Sequence, residues 1–432
     1  MRSTTKISKI SISQDNNGYT IKVVLPSGVV STVYHHTLVA HQRFFKAQGF
    51  SQGSVPLSYL KKNFQPFLIS HLKEFLCQHC VVAHLYEGIT SQCVIAAHDP
   101  RLEAISITED KGATFTFKLP RFQLPSQANW RSHSFKSPSR KNYKDLDRQA
   151  EFFLQTEFEN KQKATQDTIN PGDWILFSVS LSNGTSCLLG SHHEHLWLKI
   201  GKEETDKDAH ELFLSKSINT IFNTKNHLLQ QYFSKQLDTN YTYNVSITDH
   251  IPTQYFCIDF FKHHFKISTL PELHKKFIEV FSHRNDISQR REIVEATFKV
   301  LHKYYPVTLP KWLVDEQKQQ VLQIVRHNPD YFVYKAQKNF DQQIQMLAEK
   351  QLREKIVIDH LMREEKIEIQ PKDIPAYLSF YQRPRMKEFI YFRIPPTQYN
   401  GQEQPLSQGI IKQACLREKT LNHIIRVLTD KN

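Results

Sequence analysis

Glycine is scarce, 12 in 432 residues, and neither G-x-x-x-x-G-K nor G-x-G-x-x-G occurs. Backbone cradles for nucleotide phosphates are therefore missing. H-E-x-x-H is absent, which removes the zincin pattern. No apolar run reaches the length of a transmembrane helix. The N-terminal stretch MRSTTKISKISISQDNNGY is basic but carries no apolar centre, which speaks against a secretory signal. Six cysteines in a chain of this size do not suggest a disulfide framework. Together these absences point to a cytoplasmic protein without a cofactor, in which the sequons at Asn183 and Asn244 have no use.

What is present is charge and aromatic mass. Lysine and arginine number 56 against 43 acidic residues, a net +13, with 22 histidines besides. Such a surplus fits an anionic partner such as RNA or a membrane surface, and fits equally a solvated basic surface. Apolar residues at 39% and aromatics at 12% suffice for packed cores, and the length suits roughly two to four domains.

Residues 7 to 39 alternate as strands would: KISISQ, YTIKVVLP, a Pro-Ser-Gly turn and VVSTVYHHTLV. The segment LVAHQRFFKAQ is compatible with a helix and leads into GFSQGSVP, where two glycines and a proline surround Phe50, Ser51 and Gln52. A largely helical stretch interrupted at Pro66 follows, then two strands separated by a Lys-Gly turn. Residues 126 to 140 read as a linker and 141 to 164 as a charged helix. A β-rich unit with an Asn183-Gly184 hairpin signal closes near 250, and from 255 the pattern is helical. In the segment from 330 to 366, Val333, Ala336, Phe340, Ile344 and Leu347 are spaced as the stripe of one amphipathic helix. The expected division is 1–125, 126–165, 166–252 and 253–432.

Two clusters could hold a metal. Cys77-Gln78-His79-Cys80, with His71 and His84 nearby, has C-x-x-C spacing but lies in a helical-looking run, where small buried cysteines are the commoner case. Ser191-His192-His193-Glu194-His195 precedes a strand, and a polar hairpin loop explains it better than ligation. Basic residues interleaved with aromatics, as at Arg43, Phe44, Phe45 and Lys46, suit phosphate contacts or a helix whose charges face water. None of this names a function.

The order of parts does more. Gly49-Phe50, Gly53 and Pro56 in an α+β unit, a linker, a β-rich unit opening on Gly172-Asp173, and the helical-region stretches LPEL at 270, LPKWLVDE at 309, LAEKQLREK at 347, EEKIEI at 364 and LREKTL at 416 stand in one line. In that order they resemble trigger factor, the bacterial chaperone of the ribosomal exit tunnel. The resemblance implies a multidomain α+β fold. Its parts would be an α+β N-terminal ribosome-binding domain, a small β-rich immunophilin-like isomerase domain and an all-helical C-terminal chaperone domain with arms. It implies an ATP-independent holder of unfolded or nascent polypeptides, partnered by the ribosome, with no membrane partner; homodimerisation is left open. Ribosome contact would fall to Gly49, Phe50, Ser51, Gln52 and Gly53, flanked by Arg43 and Lys46. Ser51 and Gln52 stand where the family carries a basic pair, so docking would be weakened.

Isomerase pocket positions would fall at Phe177, Ser178 and Val179, with Ser178 at the family's Asp and Lys202–Asp208 replacing an apolar wall, so catalysis would be lost. Client contacts would include Phe332, Tyr334, Phe340, Met346, Tyr377, Phe380, Tyr381, Phe389 and Tyr391. Two alternatives remain: an active prolyl isomerase, or a ribosome- or RNA-associated factor without chaperone activity.

Overall fold

The computed structural model describes residues 8–15, 18–92, 94–108, 111–126, 129–136, 145–163, 168–190, 192–234, 241–285, 287–326, 328–387 and 389–429. Ser191 and much of the expected linker lie outside them.

The first sheet contains β1 (Lys9–Gln14), β2 (Gly18–Leu25), β3 (Arg101–Thr108) and β4 (Gly112–Pro120), antiparallel in the order β1-β2-β4-β3. Helices α1 (Ser27–Gln42), α2 (Leu57–Asn63), α3 (Gln65–Leu76) and α4 (Val82–Ser91) belong to the same unit. Ile21, Val23 and Leu25 of β2 and Phe115, Phe117 and Leu119 of β4 share its core with Val30, Val33 and Leu38 of α1. The stretch VVSTVYHHTLV, expected as a strand, is helical. Val30, Val33, Tyr34, Thr37 and Leu38 fall three and four apart and are all buried, so packing overrides the β preference of the branched residues. Pro66 sits in the first turn of α3, where a missing N–H costs nothing. Between α3 and α4 the helix widens into a π-turn at Cys77–Val81, which buries His79 and Cys80.

The expected linker is anchored, for Trp130 is buried against Phe298, Tyr305 and Leu421. Helix α5 (Leu146–Lys163) leads to the second sheet, made of β5 (Trp174–Ser182), β6 (Glu194–Lys199), β7 (Ile221–Thr224), β8 (Thr242–Ile251) and β11 (Leu406–Ser407). Its order is β11-β6-β5-β8-β7, so its edge strand comes from the far end of the chain. Helices α6 (Lys207–Phe213) and α7 (His227–Phe233) accompany it. Odd-numbered residues of β5, Ile175 to Leu181, join the core that also holds α1, α3 and the first sheet. Trp174 and Leu176, on the opposite face, pack with Trp197 into the core of the helical region. Tyr241 ties the first two units together: its hydroxyl lies 2.7 Å from Thr37 Oγ1 and 2.6 Å from His71 Nε2.

The helical region comprises α8 (Ile258–Phe265), α9 (Leu270–Asn285), α10 (Ile287–Tyr304), α11 (Lys311–Arg326), α12 (Tyr331–Lys335), α13 (Phe340–Glu364), α14 (Asp373–Tyr381), α15 (Pro384–Lys387) and α16 (Gln408–Thr429). A two-stranded ribbon, β9 (Gln398–Tyr399) with β10 (Gln402–Glu403), interrupts it. The stripe expected from 330 to 366 is two helices, since the chain turns between α12 and α13. Arg417 of α16 binds Asp359 of α13 through both nitrogens, at 2.7 and 2.8 Å, and also donates to Ala96 O at 2.6 Å, joining the region to the N-terminal unit. No helix among the described residues is long and apolar enough to cross a membrane.

Candidate functional site

The antiparallel pair α11 and α13 leads to a tip capped by α12. Its interior is thin: Val321, Ile344 and Ala348 are buried, with Leu322, Val325 and Phe340 half-covered against them. The segment YFVYK then packs three consecutive apolar residues into five, more than one short helix can turn inward. An Asx turn, Asn328 Oδ1 accepting from Asp330 N–H at 2.9 Å, starts it. Phe332 is 79% exposed, Val333 66%, Met346 63% and Ile324 60%, with Tyr334 and Leu347 also exposed. Tyr331 braces the tip from below, its ring 5.5 Å from Phe332 and 6.3 Å from Phe340. Single exposed apolar residues are ordinary, but a contiguous group of large ones marks a surface that binds. Ile324, Val333 and Leu347 were not singled out from sequence as contacts. The signal for Val333 was the apolar run between Asp330 and Asn339, too short for a helix with a buried face, whereas Ile324 and Leu347 lie outside it on α11 and α13.

The other expected contacts divide. Phe332, Tyr334 and Met346 are on the tip surface, and Phe340 is half-buried beneath it. Tyr377, Phe380 and Phe389 are interior instead. Tyr377 donates to Phe392 O at 2.7 Å, Phe380 stacks on His264 at 5.3 Å, and Arg290 covers the Phe389 ring at 4.5 Å. Tyr381 and Tyr391 are half-buried, and Tyr391 donates to Glu354 at 2.7 Å. Tyr377, Phe380 and Phe389 belong to the core of the helical region and supply packing in this conformation.

The loop from Gly49 to Pro56 is built as its sequence suggests. Gly49 and Gly53 have φ of 85° and 82°, a region that side chains disfavour. Gln42 Nε2 donates to Val55 O at 2.6 Å, and Ser51 and Ser54 bond each other, fixing the turn to the end of α1. Phe50 is 39% exposed with its ring 5.5 Å from Tyr59. Phe44, Tyr59 and Phe67 are exposed too, as are Ser51, Gln52, Arg43, Lys46, Lys61 and Lys62. The same end of the N-terminal unit thus carries four aromatics and four cations.

Phe177 and Val179 are fully buried and Ser178 nearly so; the Phe177 ring lies 4.8 Å from Phe213. The Lys202–Asp208 segment is not simply a solvated wall. Asp206 is buried and accepts from Glu403 N–H at 2.8 Å, while Thr205 donates to Gly401 O at 2.8 Å. Residues of the β9–β10 ribbon therefore lie across this segment.

The stretch from His192 to His195, expected as a polar loop, is partly interior: His192 and Glu194 are buried, and His192 Nε2 lies 2.9 Å from His79 O. Burial holds the His192 imidazole down at about 4, so it is uncharged at neutral pH, and pushes the Glu194 carboxyl well above its ordinary range. Burial likewise pushes the Cys77 thiol up to about 11 and Cys80 higher still, which keeps both as thiols. Among the described residues no group of three or more His, Cys, Asp or Glu is arranged to hold a metal ion.

Residues 269–425 match the family model of the bacterial trigger factor protein (TF) C-terminus. No curated protein matches the chain. A solved structure described as "Promiscuous Substrate Recognition in Folding and Assembly Activities of the Trigger Factor Chaperone" aligns over 97% of this chain and 99% of its own, at 13% identity and a TM-score of 0.32. The matched stretch includes the exposed tip, and over it the chain is similar to the C-terminal part of bacterial trigger factor.

Proposed function

We propose that the protein is an ATP-independent chaperone that holds unfolded polypeptide segments at the α11–α13 tip. The observation that carries this reading is the exposure of Ile324, Phe332, Val333 and Met346 on the successive helices α11, α12 and α13 within the family-matched region. An unfolded segment that buries apolar side chains there gains about 25 cal/mol per Å2 of apolar surface removed from water. Such binding needs no nucleotide and reverses when the client folds. The test is suppression of aggregation of a reduced, unfolded model protein at stoichiometric chaperone; unchanged aggregation overturns the reading. The division into 1–125, 126–165, 166–252 and 253–432 belongs to the same proposal, with the first and third units in contact through Tyr241.

Ribosome docking at the Gly49–Pro56 loop is retained but weakened. Supporting this are the exposed Phe50 and the cations Arg43, Lys46, Lys61 and Lys62 around neutral Ser51 and Gln52. Each phosphate contact removed lowers the slope of affinity against salt by roughly one. Co-sedimentation with ribosomes should therefore succeed at low salt and fail at moderate salt, and the double substitution Ser51→Arg, Gln52→Lys should extend it to higher salt. No association at low salt contradicts docking.

Prolyl isomerase activity is absent or slight. Isomerisation requires a dry pocket that takes in the prolyl amide. The packing of Phe177 and Val179 into the core, with the β9–β10 ribbon lying on Thr205 and Asp206, favours this reading. In proline-limited refolding of a model protein the slow phase should keep its uncatalysed rate of tens to hundreds of seconds. A catalytic shortening of that phase at substoichiometric protein contradicts it.

A further inference from the structure

The +13 net charge is only partly used by the loop and its flanking cations. A second concentration lies where the C-terminal end of α8 faces α14 and α16, around a cavity of about 370 Å3. Lys262, His263 and Lys266 line it from α8 and its cap, Lys419 from α16, and Asp373 is its one carboxylate. Asp373 is already engaged, accepting from His263 Nε2 at 2.8 Å, Lys419 Nζ at 2.7 Å and Gln370 N–H at 2.6 Å. Lys419 is engaged as well, donating also to Glu368 O at 2.8 Å. Among the described residues, neither Lys262 nor Lys266 has an ion-pair or side-chain hydrogen-bond partner.

Three ammonium groups against one carboxylate leave a surplus of two positive charges, before Arg426 is added from α16. Burial, and repulsion from Arg426 and Lys419, lower the pKa of Lys266 from its ordinary value. Like charges four residues apart at a helix end weaken the helix unless something neutralises them. The helix dipole supplies only about half a negative charge, and the carbonyls of Lys262 and His263 already accept from the N–H groups of Ile267 and Lys266. Lys266 itself adopts a left-handed φ of 54°, a conformation that side-chain-bearing residues disfavour. Lys266 thus stands at the cavity rim, without an ion-pair partner among the described residues, in a conformation that glycine would adopt at less cost.

We propose that this cavity binds the phosphate of a small phosphorylated molecule, with Lys262 and Lys266 as the anion's partners. The charge surplus matches a phosphate dianion better than a carboxylate, and lysine binds phosphate as a point charge. The volume exceeds a water's share of about 30 Å3 by an order of magnitude. It therefore admits a diphosphate-sized ligand while remaining a concave site on helices of the core rather than a track along the surface.

The probes are inorganic phosphate and pyrophosphate, titrated calorimetrically into the full-length protein, with sodium chloride matched for ionic strength. Pyrophosphate is expected to bind one equivalent and to raise the thermal midpoint. The double substitution Lys262→Gln, Lys266→Gln should weaken it at least tenfold while leaving aggregation suppression unchanged and the ligand-free midpoint no lower. Inorganic phosphate binding as tightly as pyrophosphate supports a free-phosphate site, and a preference for pyrophosphate supports an organic diphosphate. A midpoint rise equal in sodium chloride, or undiminished in the double variant, overturns the assignment. So does single-stranded RNA binding that the double substitution abolishes while pyrophosphate fails to bind.

Discussion

Replacing Arg417 by alanine should destabilise the protein by about 3–5 kcal/mol, the usual loss when one partner of a buried ion pair is removed. Arg417 and Asp359 are both buried, and their two parallel bonds at 2.7 and 2.8 Å fix the crossing of α16 over α13. The third bond, to Ala96 O, extends the link to the loop between α4 and β3. Without the guanidinium, the Asp359 carboxylate is left in the interior with its hydration gone and its two direct bonds lost, with Lys355 the remaining cation nearby. The double variant Arg417→Met, Asp359→Leu removes both charges and should recover most of the loss, short of the bond to Ala96 O. Urea midpoints with unchanged slopes report the difference. An Arg417→Ala loss below about 1 kcal/mol would mean that the pair is solvated and carries little.

The second large effect is an acid sensitivity concentrated at the seams between units. His71 is held at about 4, chiefly by burial and then by repulsion from His41. His192 is held at about 4 by burial, and His264 at about 3 by burial and Arg290. Each is neutral when folded and takes up a proton near 6.5 when unfolded, so the unfolded state binds more protons below that pH. Stability from these groups is therefore fully present above about pH 6.5 and is lost as pH falls toward 4. At about 1.4 kcal/mol per pK unit, each histidine contributes up to roughly 3 kcal/mol over that span. Glu354, raised to about 7 by burial, acts in the opposite sense: its contribution is present below about 4.5 and is lost as pH rises toward 7. Glu194 opposes the histidines in the same way. A net loss of a few kcal/mol between pH 7 and 4.5 is expected, seen as a falling urea midpoint. Substituting His71→Gln should flatten part of that slope, because Gln does not titrate. A midpoint that holds or rises on acidification contradicts the assignment of these imidazoles as neutral.

The parts legible in sequence were those where one stretch carries its own answer. The spacing of Ile410, Ile411, Ala414, Leu421, Ile424, Ile425 and Leu428 predicts the closing helix α16, where all but the half-buried Ile410 and Ile425 are buried. The Lys111-Gly112 turn gave the β3–β4 hairpin, with Gly112 at a φ of 91°. Long-range choices were not legible. Helix α1 has the branched residues of a strand, and only contact with β2 and β4 selects the helix. Tyr241 finds Thr37 and His71 across 204 and 170 residues, and Leu406 pairs with Trp197 from within a proline-rich piece. The candidate surface was half visible: the aromatics of α12 stood out, while Tyr377, Phe380 and Phe389 looked the same in sequence and proved to be core. Periodicity places an apolar residue on a helix face, but only the neighbouring elements decide whether that face is covered.

The α11–α13 tip is the point on which chaperone function turns. The decisive measurement compares aggregation suppression by the native protein with that of the triple variant Phe332→Ser, Val333→Ser, Met346→Ser. Because all three side chains face solvent, the variant should keep its urea midpoint within about 0.5 kcal/mol. It should nevertheless need at least fivefold more protein for equal suppression, a modest part of the roughly 1.5–3 kcal/mol that each buried apolar side chain can contribute. A folded triple variant that suppresses aggregation as well as the native protein would contradict client binding at the tip.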